Sequence, residues 1–253
     1  MYNPDVIHFS EVEGCKVLSK FSNEFDFYKH YLVKGTDVST GQQVGLVTKI
    51  DPIIDLKRTN KRFDFPIAGS RCSAQNGSSG VSKHYITRFP ISEYRSVLLI
   101  GIHFIAFPDR QDRCAKREAQ AKVIKELIKE NRKAGESVIV AGDFNDFDND
   151  FLGADGQQSI SQTLPILKQE EDGVELFNLL EFSSQKNRFS AWYDRNKNCR
   201  DDGDQEHSLL DHILVTRDLY DSLESLEFHH EYDASCASKV SDHWPVIATF
   251  RIE

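Results

Sequence analysis

The sequence predicts a mixed α/β sandwich, in which β-sheets pack against each other and helices cover their outer faces. Two observations predict this fold class. Short apolar runs of strand length recur along the whole chain, and the one long segment with helical periodicity has a strand-like run on each side. No linker rich in Pro, Ser or Gly, no internal repeat and no block of charge divides the 253 residues. We therefore expect a single domain spanning residues 1–253.

The predicted strands are apolar or alternating runs bounded by turn residues. They cover Asp5–Phe9, Gln43–Ile50, Lys83–Phe89, Ser96–Phe107, Ser137–Phe144, Leu209–Thr216 and Trp244–Ile252. The third run alternates polar and apolar residues, which predicts a strand with one exposed face. The fourth run is almost continuously apolar, which predicts a strand buried on both faces.

The clearest predicted helix covers Asp112–Gly135. Its apolar residues recur at helical spacing, and Gly135 stands where a helix usually ends. A shorter helix is predicted over Cys15–Phe21. Asn76–Gly80, Asp148–Ser159 and Asp194–Glu206 are rich in Gly, Asn and Asp and are predicted to be loops.

Composition limits the classes of protein to which the chain can belong. The formal net charge of −9 argues against a nucleic-acid scaffold with a broad basic surface, although an enzyme with a local cationic site remains compatible. The basic stretch with Lys57, Arg58, Lys61 and Arg62 is best interpreted as a solvated loop. No apolar run approaches the ~20 residues that cross a bilayer, so we expect no membrane span.

The five cysteines leave the redox environment open. They are Cys15, Cys72, Cys114, Cys199 and Cys236, and no two stand in a CxxC pair, which argues against a zinc knuckle. In a secreted protein the odd number predicts one thiol without a partner. In a cytosolic protein all five can simply be small apolar residues.

One loop has part of the pattern of a calcium-binding loop. Asp194, Asn196 and Asn198 occupy alternate positions, as calcium ligands do. However, Cys199 stands where the sharp turn requires glycine, and Gln205 replaces the bidentate glutamate. The preferred interpretation is a polar surface loop.

Polar side chains stand at the ends of four apolar strands, where a simple core does not need them. They are Glu11 and Glu13, then His103, then Asp143 and Asn145, and finally Asp211, His212, Asp242 and His243. Singly, each has an ordinary structural explanation, such as a hydrogen-bonded core histidine or a solvated carboxylate. Together they predict one site, because buried charges are unfavourable unless they are paired or bound to metal. Oxygen ligands suit Mg²⁺, Mn²⁺ or Ca²⁺ rather than zinc.

These motifs, in this order, resemble the endonuclease/exonuclease/phosphatase superfamily, which includes pancreatic deoxyribonuclease and the abasic-site endonucleases. The resemblance rests on PDVIHFSEVE, GQQVGLVTK, LLIGIHF, REAQAKVI, VIVAGDFND, LLDHILV and SDHWPV. It implies a four-layer α/β/β/α sandwich of two mixed β-sheets, as in the deoxyribonucleases.

The resemblance also implies a role for each site residue. Glu11 and Asp242 match metal-binding carboxylates, and Asp143 and Asn145 match the pair that holds the attacking water and the scissile phosphate. His243 matches the histidine beside the phosphate, Asp211 the carboxylate that orients it, and His103 a second catalytic histidine that protonates the leaving oxygen. Either Asp143 or His243 then takes the proton from water. His212 is expected to point to the other face of its strand, outside the site.

The resemblance implies a divalent-metal-dependent phosphodiester hydrolase, with Mg²⁺ the expected ion and Mn²⁺ or Ca²⁺ alternatives. An endonuclease acting on DNA or RNA is the first hypothesis. A phosphodiesterase or phosphatase acting on lipid or small phosphoesters, and a non-catalytic binding module on the same fold, are the alternatives. We expect a monomer that is secreted or lumenal, although no signal peptide marks it and a cytoplasmic location stays open.

One departure from the family pattern concerns the start of the fold. Family members begin with a further strand that carries an asparagine beside the metal site, and this chain starts a few residues before PDVIHF. The first family strand is therefore expected to be missing, which predicts an unpaired sheet edge. We hypothesise that an N-terminal segment, or another part of the chain, completes the sheet.

Overall fold

The computed structural model describes residues 2–25, 27–37, 40–231 and 241–252. The strands in the first half of these residues are β1 (Val6–Val12), β2 (Lys29–Val33), β3 (Gln43–Thr48), β4 (Ile54–Lys57), β5 (Phe63–Phe65), β6 (Gly77–Ser79), β7 (Lys83–Pro90) and β8 (Ser96–His103). The later strands are β9 (Ser137–Asp143), β10 (Phe177–Asn178), β11 (Ala191–Trp192), β12 (His207–Ser208), β13 (Asp211–Val215), β14 (Leu223–Phe228) and β15 (Val246–Phe250).

Helices occupy far less of the described chain than strands do. They are α1 (Cys15–Asn23), α2 (Gln111–Asn131), α3 (Thr163–Lys168) and α4 (Arg217–Asp221), with single 3₁₀ turns at Leu179–Phe182 and Gln185–Asn187. The long predicted helix is therefore present and ends four residues before Gly135. Within the described residues, no helix combines the length and the apolarity that crossing a membrane requires.

A six-stranded mixed sheet forms the centre of the molecule, with strand order β10-β13-β9-β8-β7-β4. β8 and β9 run parallel, and the other neighbours run antiparallel. A parallel pair requires a crossover connection, and α2 provides it. The carboxyl ends of β8 and β9 consequently lie side by side, which is where the polar residues of GIHF and GDFN stand.

Two apolar cores lie on opposite faces of this sheet. On one face, Ile100, Ile102 and Val140 pack with Ile124 and Leu127 of α2, and α3 extends the same cluster. These residues are buried almost completely. Burial on this scale stabilises the fold by ~25 cal/mol for each Å² of apolar surface removed from water.

The second core lies between the six-stranded sheet and a second β layer. That layer contains an antiparallel three-stranded sheet, β1-β3-β2, and the antiparallel β14–β15 hairpin. Leu46 of β3 and Leu226 of β14 pack in the same cluster as Leu99 of β8. On the outer face of the three-stranded sheet, Leu18 of α1 packs against Val47. The layers therefore succeed one another as α/β/β/α, as the family resemblance implies.

Two local predictions are wrong. Lys83–Phe89 is not half exposed, because β7 lies between β8 and β4 and has packed layers on both faces. Its polar side chains find buried partners: His84, for example, accepts from the N–H of Thr59 (2.9 Å) and bonds the carbonyl of Val81 (2.8 Å). Asn76–Gly80 is not simply a loop, since β6 lies within it and pairs with β5.

The cysteines are now partly assigned. Cys72 and Cys114 form a disulfide that joins the segment before β6 to the first turn of α2. Cys199 is also disulfide-bonded, and Cys15 is free and exposed on α1. Cys236 lies outside the described residues.

Candidate active site

Four strands of the central sheet carry polar side chains on one rung. Along it, Lys83 of β7 pairs with His103 of β8, His103 with Asp143 of β9, and Asp143 with Asp211 of β13. Residues directly opposite on neighbouring strands project on the same face of a sheet, with Cβ atoms ~5 Å apart. The sheet register thus brings together four residues that are up to 128 positions apart in sequence.

The end of β9 explains why GDFN has this sequence. Gly142 has φ +134°, and a Cβ there would lie 2.1 Å from the carbonyl oxygen of Ile102, so only glycine fits. Asn145 has φ +48°, a left-handed conformation in which asparagine is enriched. This turn returns Asn145 to Asp143: its N–H donates to Oδ1 (2.7 Å) and its Nδ2 to Oδ2 (2.8 Å). The strand therefore ends in a carboxylate and a carboxamide held together.

Asp143 is buried among other acidic groups. Burial, and then the charge of Asp211, raise the pKa of Asp143 to about 7, while the charge of His243 and the Asn145 N–H oppose the rise. Glu11 adds to the rise. The region around Asp143 therefore has a surplus of negative charge, which a cation would relieve.

Asp211 and His243 form a close ion pair, with Oδ2 and Nδ1 2.7 Å apart. Burial alone would lower the pKa of His243, but the charge and hydrogen bond of Asp211 raise it to about 10. Burial would raise the pKa of Asp211, and the charge of His243 together with hydrogen bonds from His243 and Ser190 lowers it. His243 is consequently an imidazolium at neutral pH, oriented by Asp211.

His103 and Lys83 form the other half of the rung. The Nε2 atom of His103 lies 3.4 Å from Oδ2 of Asp143 and 3.8 Å from Oε1 of Glu11. Burial, followed by the charges of Lys83 and His243, lowers the pKa of His103 to about 3, so this ring is neutral. Lys83 is buried, and its ammonium donates to the hydroxyl of Thr40 at 3.1 Å. Within the described chain, no carboxylate lies in ion-pair range of Lys83.

Glu11 reaches the rung from the second β layer. The pairing of β1 with β3 is irregular between Phe9 and Val12, and Glu11 has φ +59° there, so its side chain turns away from the strand. His8 fixes the approach of β1, because its ring bonds the Tyr85 hydroxyl (3.0 Å) and the carbonyl of Ile102 (3.2 Å). The Glu11 carboxylate is 46% exposed and accepts one hydrogen bond, from Gln42 Nε2 at 3.2 Å.

The acidic side chains fit a hard divalent cation that keeps part of its water shell. In the part of the chain that the structure describes, the one trio of ligand-type side chains with donor atoms within 4.8 Å of each other is Cys72, Cys114 and Glu118, and those cysteines form a disulfide. The site therefore has no closed cage. Mg²⁺ characteristically binds one or two carboxylates with several waters, and Glu11 beside the charge surplus at Asp143 meets that requirement.

The structure brings together six of the seven predicted site residues: Glu11, His103, Asp143, Asn145, Asp211 and His243. The seventh, Asp242, is exposed, and its carbonyl accepts from the N–H of Trp192 at 2.8 Å. Its charge contributes to the raised pKa of His243, and its metal-binding role stays a prediction. His212 points away as expected and bonds the carbonyl of Asp146 at 2.9 Å.

Two other polar stretches stay outside the site. In the basic stretch Lys61 pairs with Glu126 and Glu130 of α2, so the stretch is partly neutralised. In the calcium-like loop, both oxygens of Asp194 accept backbone N–H groups, from Asn198 (3.1 Å) and Cys199 (3.0 Å). Cys199 has φ +59°, so it adopts the turn conformation that glycine has in calcium loops.

Sequence reasoning missed two site residues. Lys83 has no motif around it, and only its pairing with His103 identifies it. Ser190 lies on no predicted strand, yet its hydroxyl accepts the N–H of Asp211 at 3.0 Å and supports the ion pair. For Lys83, the sequence offers one signal: a lysine begins the strand that precedes the most apolar strand of the chain.

Comparison with solved structures gives the fold a precedent. TDP2 from D. rerio, in complex with a single-strand DNA product, has a TM-score of 0.63 at 16% identity, covering 98% of this chain and 86% of that chain. The 3′ phosphatase NExo from Neisseria, bound to a product DNA hairpin, has a TM-score of 0.62 at 17% identity, covering 98% of this chain and 90% of that chain. An endonuclease/exonuclease/phosphatase family protein from Leptotrichia buccalis has a TM-score of 0.61 at 13% identity, covering 98% of this chain and 88% of that chain.

No protein-family model and no curated protein sequence matches the chain. Sequence identity to the solved structures is low, so the likeness concerns the fold. The chain has the fold of the endonuclease/exonuclease/phosphatase proteins, and the resemblance inferred from the motifs is confirmed at that level.

Proposed function

We propose that the protein is a divalent-metal-dependent phosphodiester hydrolase that acts on DNA. The observation that carries the proposal is the rung of Lys83, His103, Asp143 and Asp211, completed by the 2.7 Å ion pair of Asp211 with His243. An anionic ester requires cationic groups around the phosphate and a base beside it. The rung and its ion pair supply both.

Asp143 is the general base in this proposal. Its pKa of about 7 lies near the working pH, where a base combines an adequate deprotonated fraction with adequate basicity. His243, with a pKa raised to about 10, carries its proton already and cannot accept one from water at neutral pH. Of the two candidate bases, the electrostatics of the site therefore favour Asp143.

His243 provides positive charge and a proton on the phosphate side. As an imidazolium fixed by Asp211, it offsets charge that develops on the phosphoryl oxygens. The sequence resemblance implies that His103 protonates the leaving oxygen. However, the low pKa of His103 leaves it neutral, so the transferable proton is on His243. His103 is a neutral neighbour of Asp143, with Nε2 3.4 Å from Oδ2, and we assign Asn145 to holding the phosphate beside Asp143.

Lys83 and the acidic side chains complete the site. A buried ammonium with only a hydroxyl partner is unfavourable, and a phosphate oxygen would satisfy it. Glu11 would hold Mg²⁺ or Mn²⁺ beside Asp143, and Asp242 is the further ligand implied by the resemblance. When bound, a divalent cation supplies positive charge that offsets the charge of the phosphoryl transition state.

DNA is the proposed substrate because two matched structures contain DNA products. Endonuclease action is the finer proposal from the sequence resemblance. Action at a DNA end is the rival, because the matched NExo is a 3′ phosphatase. A non-catalytic module has no need of a buried cluster whose charges require a ligand. Lipid and small phosphoesters keep the same chemistry and are the substrates to test if DNA fails.

Nicking of supercoiled plasmid with Mg²⁺, with and without chelator, tests the proposal. We expect chelator-sensitive nicking that Asp143→Asn abolishes and that Asp55→Asn, an exposed aspartate of β4, leaves unchanged. Release of mononucleotide or phosphate from end-labelled oligonucleotides without nicking would replace endonuclease by end-processing activity. Inertness of the parent on plasmid, oligonucleotides and phosphoester substrates alike would contradict the proposed function.

We also propose an oxidising location, secreted or lumenal. The Cys72–Cys114 disulfide and the bonded state of Cys199 support it, because such bonds persist in oxidising compartments. Thiol labelling of the natively expressed protein without reductant, read by mass spectrometry, tests this. Labelled Cys72 and Cys114 would contradict it.

A further inference from the structure

An exposed aromatic ring stands close to the candidate active site. Phe107 follows His103 by four residues, and its side chain is prominent, with 57% of the residue exposed. Its backbone is in the left-handed region, with φ +72°. Bulky residues rarely adopt this conformation, and a residue that does so on the surface is held there by its surroundings.

Arg117 of α2 holds the backbone beneath this ring. The guanidinium is completely buried and pairs with Asp146 at 3.1 Å. Its other nitrogens donate to the carbonyls of Phe107 (3.1 Å) and Pro108 (2.9 Å). Asp146 follows Asn145 directly, so one buried arginine ties Phe107 to the segment that carries the site. Phe107 is therefore presented by a rigid support and not by a loose loop tip.

Positive charge surrounds the ring. The guanidinium carbons of Arg110 and Arg113 lie 6.0 and 5.8 Å from its centroid. Arg110, Arg113 and Lys116 all lie within 3.7 Å of the carboxylate of Asp112. With Asp109, the neighbouring exposed carboxylate, three cations still exceed two anions. An exposed aromatic face bordered by cations is the composition of surfaces that bind single-stranded nucleic acid.

The ring lies within reach of a bound strand. Four residues span at most about 14 Å, and successive phosphates of one strand rise 3.4 Å along a duplex, so Phe107 is within about four steps of the scissile phosphate. We propose that Phe107 is a stacking platform for a nucleobase of a single-stranded segment, and that Arg110 and Arg113 contact the adjoining phosphates. This inference rests on the proposed function and adds the form of DNA that the site takes.

The test separates the contribution of the bases to binding from that of the phosphates. Two single-stranded oligomers of about twelve units are compared, one of thymidine and one of abasic tetrahydrofuran units with the same phosphates. Binding is measured by fluorescence anisotropy in chelator, so that nothing is cleaved. We expect Phe107→Ala to weaken binding of the thymidine oligomer about tenfold or more and to leave the abasic oligomer unchanged. Phe107→Trp is expected to restore binding.

The arginines are expected to behave differently. Arg110→Gln with Arg113→Gln weakens both oligomers and lowers the slope of log Kd against log salt by about 1.4, for two lost phosphate contacts. Tyr94→Ala is the matched control. Tyr94 is 88% exposed in the β7–β8 turn, at the opposite end of these strands, and its loss is expected to change neither binding constant.

Equal effects of Phe107→Ala on the two oligomers, or no effect on either, would overturn the inference. So would a parent that binds neither oligomer. Cleavage of the thymidine oligomer by the parent in Mg²⁺ is scored separately. Cleavage without a base-dependent Phe107 effect leaves the proposed function intact, whereas base-dependent binding without cleavage of any DNA contradicts that function and keeps the binding surface.

Discussion

Strands β7 and β8 carry a buried polar cluster at each end, and the two clusters differ in how well their charges are paired. At one end, Arg88 forms a bidentate ion pair with Glu136. Glu136 also accepts from the Ser96 hydroxyl (2.6 Å) and the Lys133 N–H (3.0 Å), and Arg88 donates to the carbonyl of Asn131 (2.7 Å). In this closed cluster the two charges pair with each other and with neighbouring protein groups.

At the other end lies the rung of the candidate site, where the charges are incompletely paired. Lys83 bonds only a hydroxyl, and the Nδ1 atom of His103 is buried without a hydrogen-bond partner among the described residues. Burial, and then the charge of Asp211, raise the pKa of Asp143. A buried structural ion pair thus completes its own bonds, whereas a buried functional cluster depends on a ligand to complete them.

Removing the base of the incomplete cluster should separate activity from stability most clearly. Asp143→Asn is expected to lower the rate by about 10³-fold, because the carboxylate that takes the proton is lost. The melting temperature is expected to stay the same or rise, because a buried carboxylate with unfavourable neighbours is removed. Rate and melting temperature measured on one preparation check this. A large loss of stability would show that Asp143 belongs to a structural network instead.

Breaking the closed cluster should give the opposite result. Glu136→Gln leaves the Arg88 charge buried without its counterion, and we expect the free energy of unfolding to fall by about 3–5 kcal/mol. Activity per folded molecule should not change. Urea denaturation measures this, with Glu93→Gln, a change at an exposed glutamate, as the control variant. A fall no larger than that of the control would remove the distinction between the two clusters.

A third prediction concerns the pH dependence of stability, through a buried histidine of β7. His84 is buried and neutral in the fold, and burial lowers its pKa from 6.5 to about 4. Because the unfolded chain takes up a proton near pH 6.5 and the folded chain does not, stability falls as the pH drops below that value and levels off below about 4. We expect a loss of about 2 kcal/mol between about pH 6.5 and pH 4.5 from this residue. His84→Gln should flatten the measured pH dependence of unfolding, and an unchanged slope would contradict the assignment.

The smallest effect is expected at Lys83. Lys83→Met keeps the length of the side chain and removes a buried charge that lacks a counterion. We expect KM for DNA to rise about tenfold, equivalent to ~1.4 kcal/mol, while stability stays the same or increases. Arg88→Met, on the same strand but in the closed cluster, is the matched contrast and should lose stability instead. A Lys83→Met protein that is less stable but has an unchanged KM would contradict the proposed difference between Lys83 and Arg88.

The parts of the fold with strong local patterns were predictable from sequence. The long helix α2 has a clear periodicity and β8 a continuous apolar run, although β8 ends at His103, four residues before the predicted end at Phe107. β7 was predicted with one exposed face, since its alternation cannot reveal that Arg88 has a buried partner in Glu136, 48 residues away. Two-residue strands such as β11 are too short to carry a pattern.

The site was predictable where motifs mark it and not elsewhere. Asp143, Asn145 and His243 stand in distinctive motifs, and the structure brings them together. In the sequence Lys83 cannot be told from a surface lysine, because only the pairing of β7 with β8 shows that His103 is its neighbour. The left-handed turn at Glu11 is equally invisible in the sequence, since it follows from the irregular pairing of β1 with β3.

The distribution of the rung along the chain has a consequence during synthesis. Its members come from Lys83, His103, Asp143 and Asp211, and the imidazolium that completes it is at His243. Proteins are made from the N-terminus and fold as domains when enough chain has emerged. A nascent chain that has passed Asp143 already has the base, but it lacks both members of the ion pair. The nascent chain therefore cannot complete the site until His243 has been synthesised.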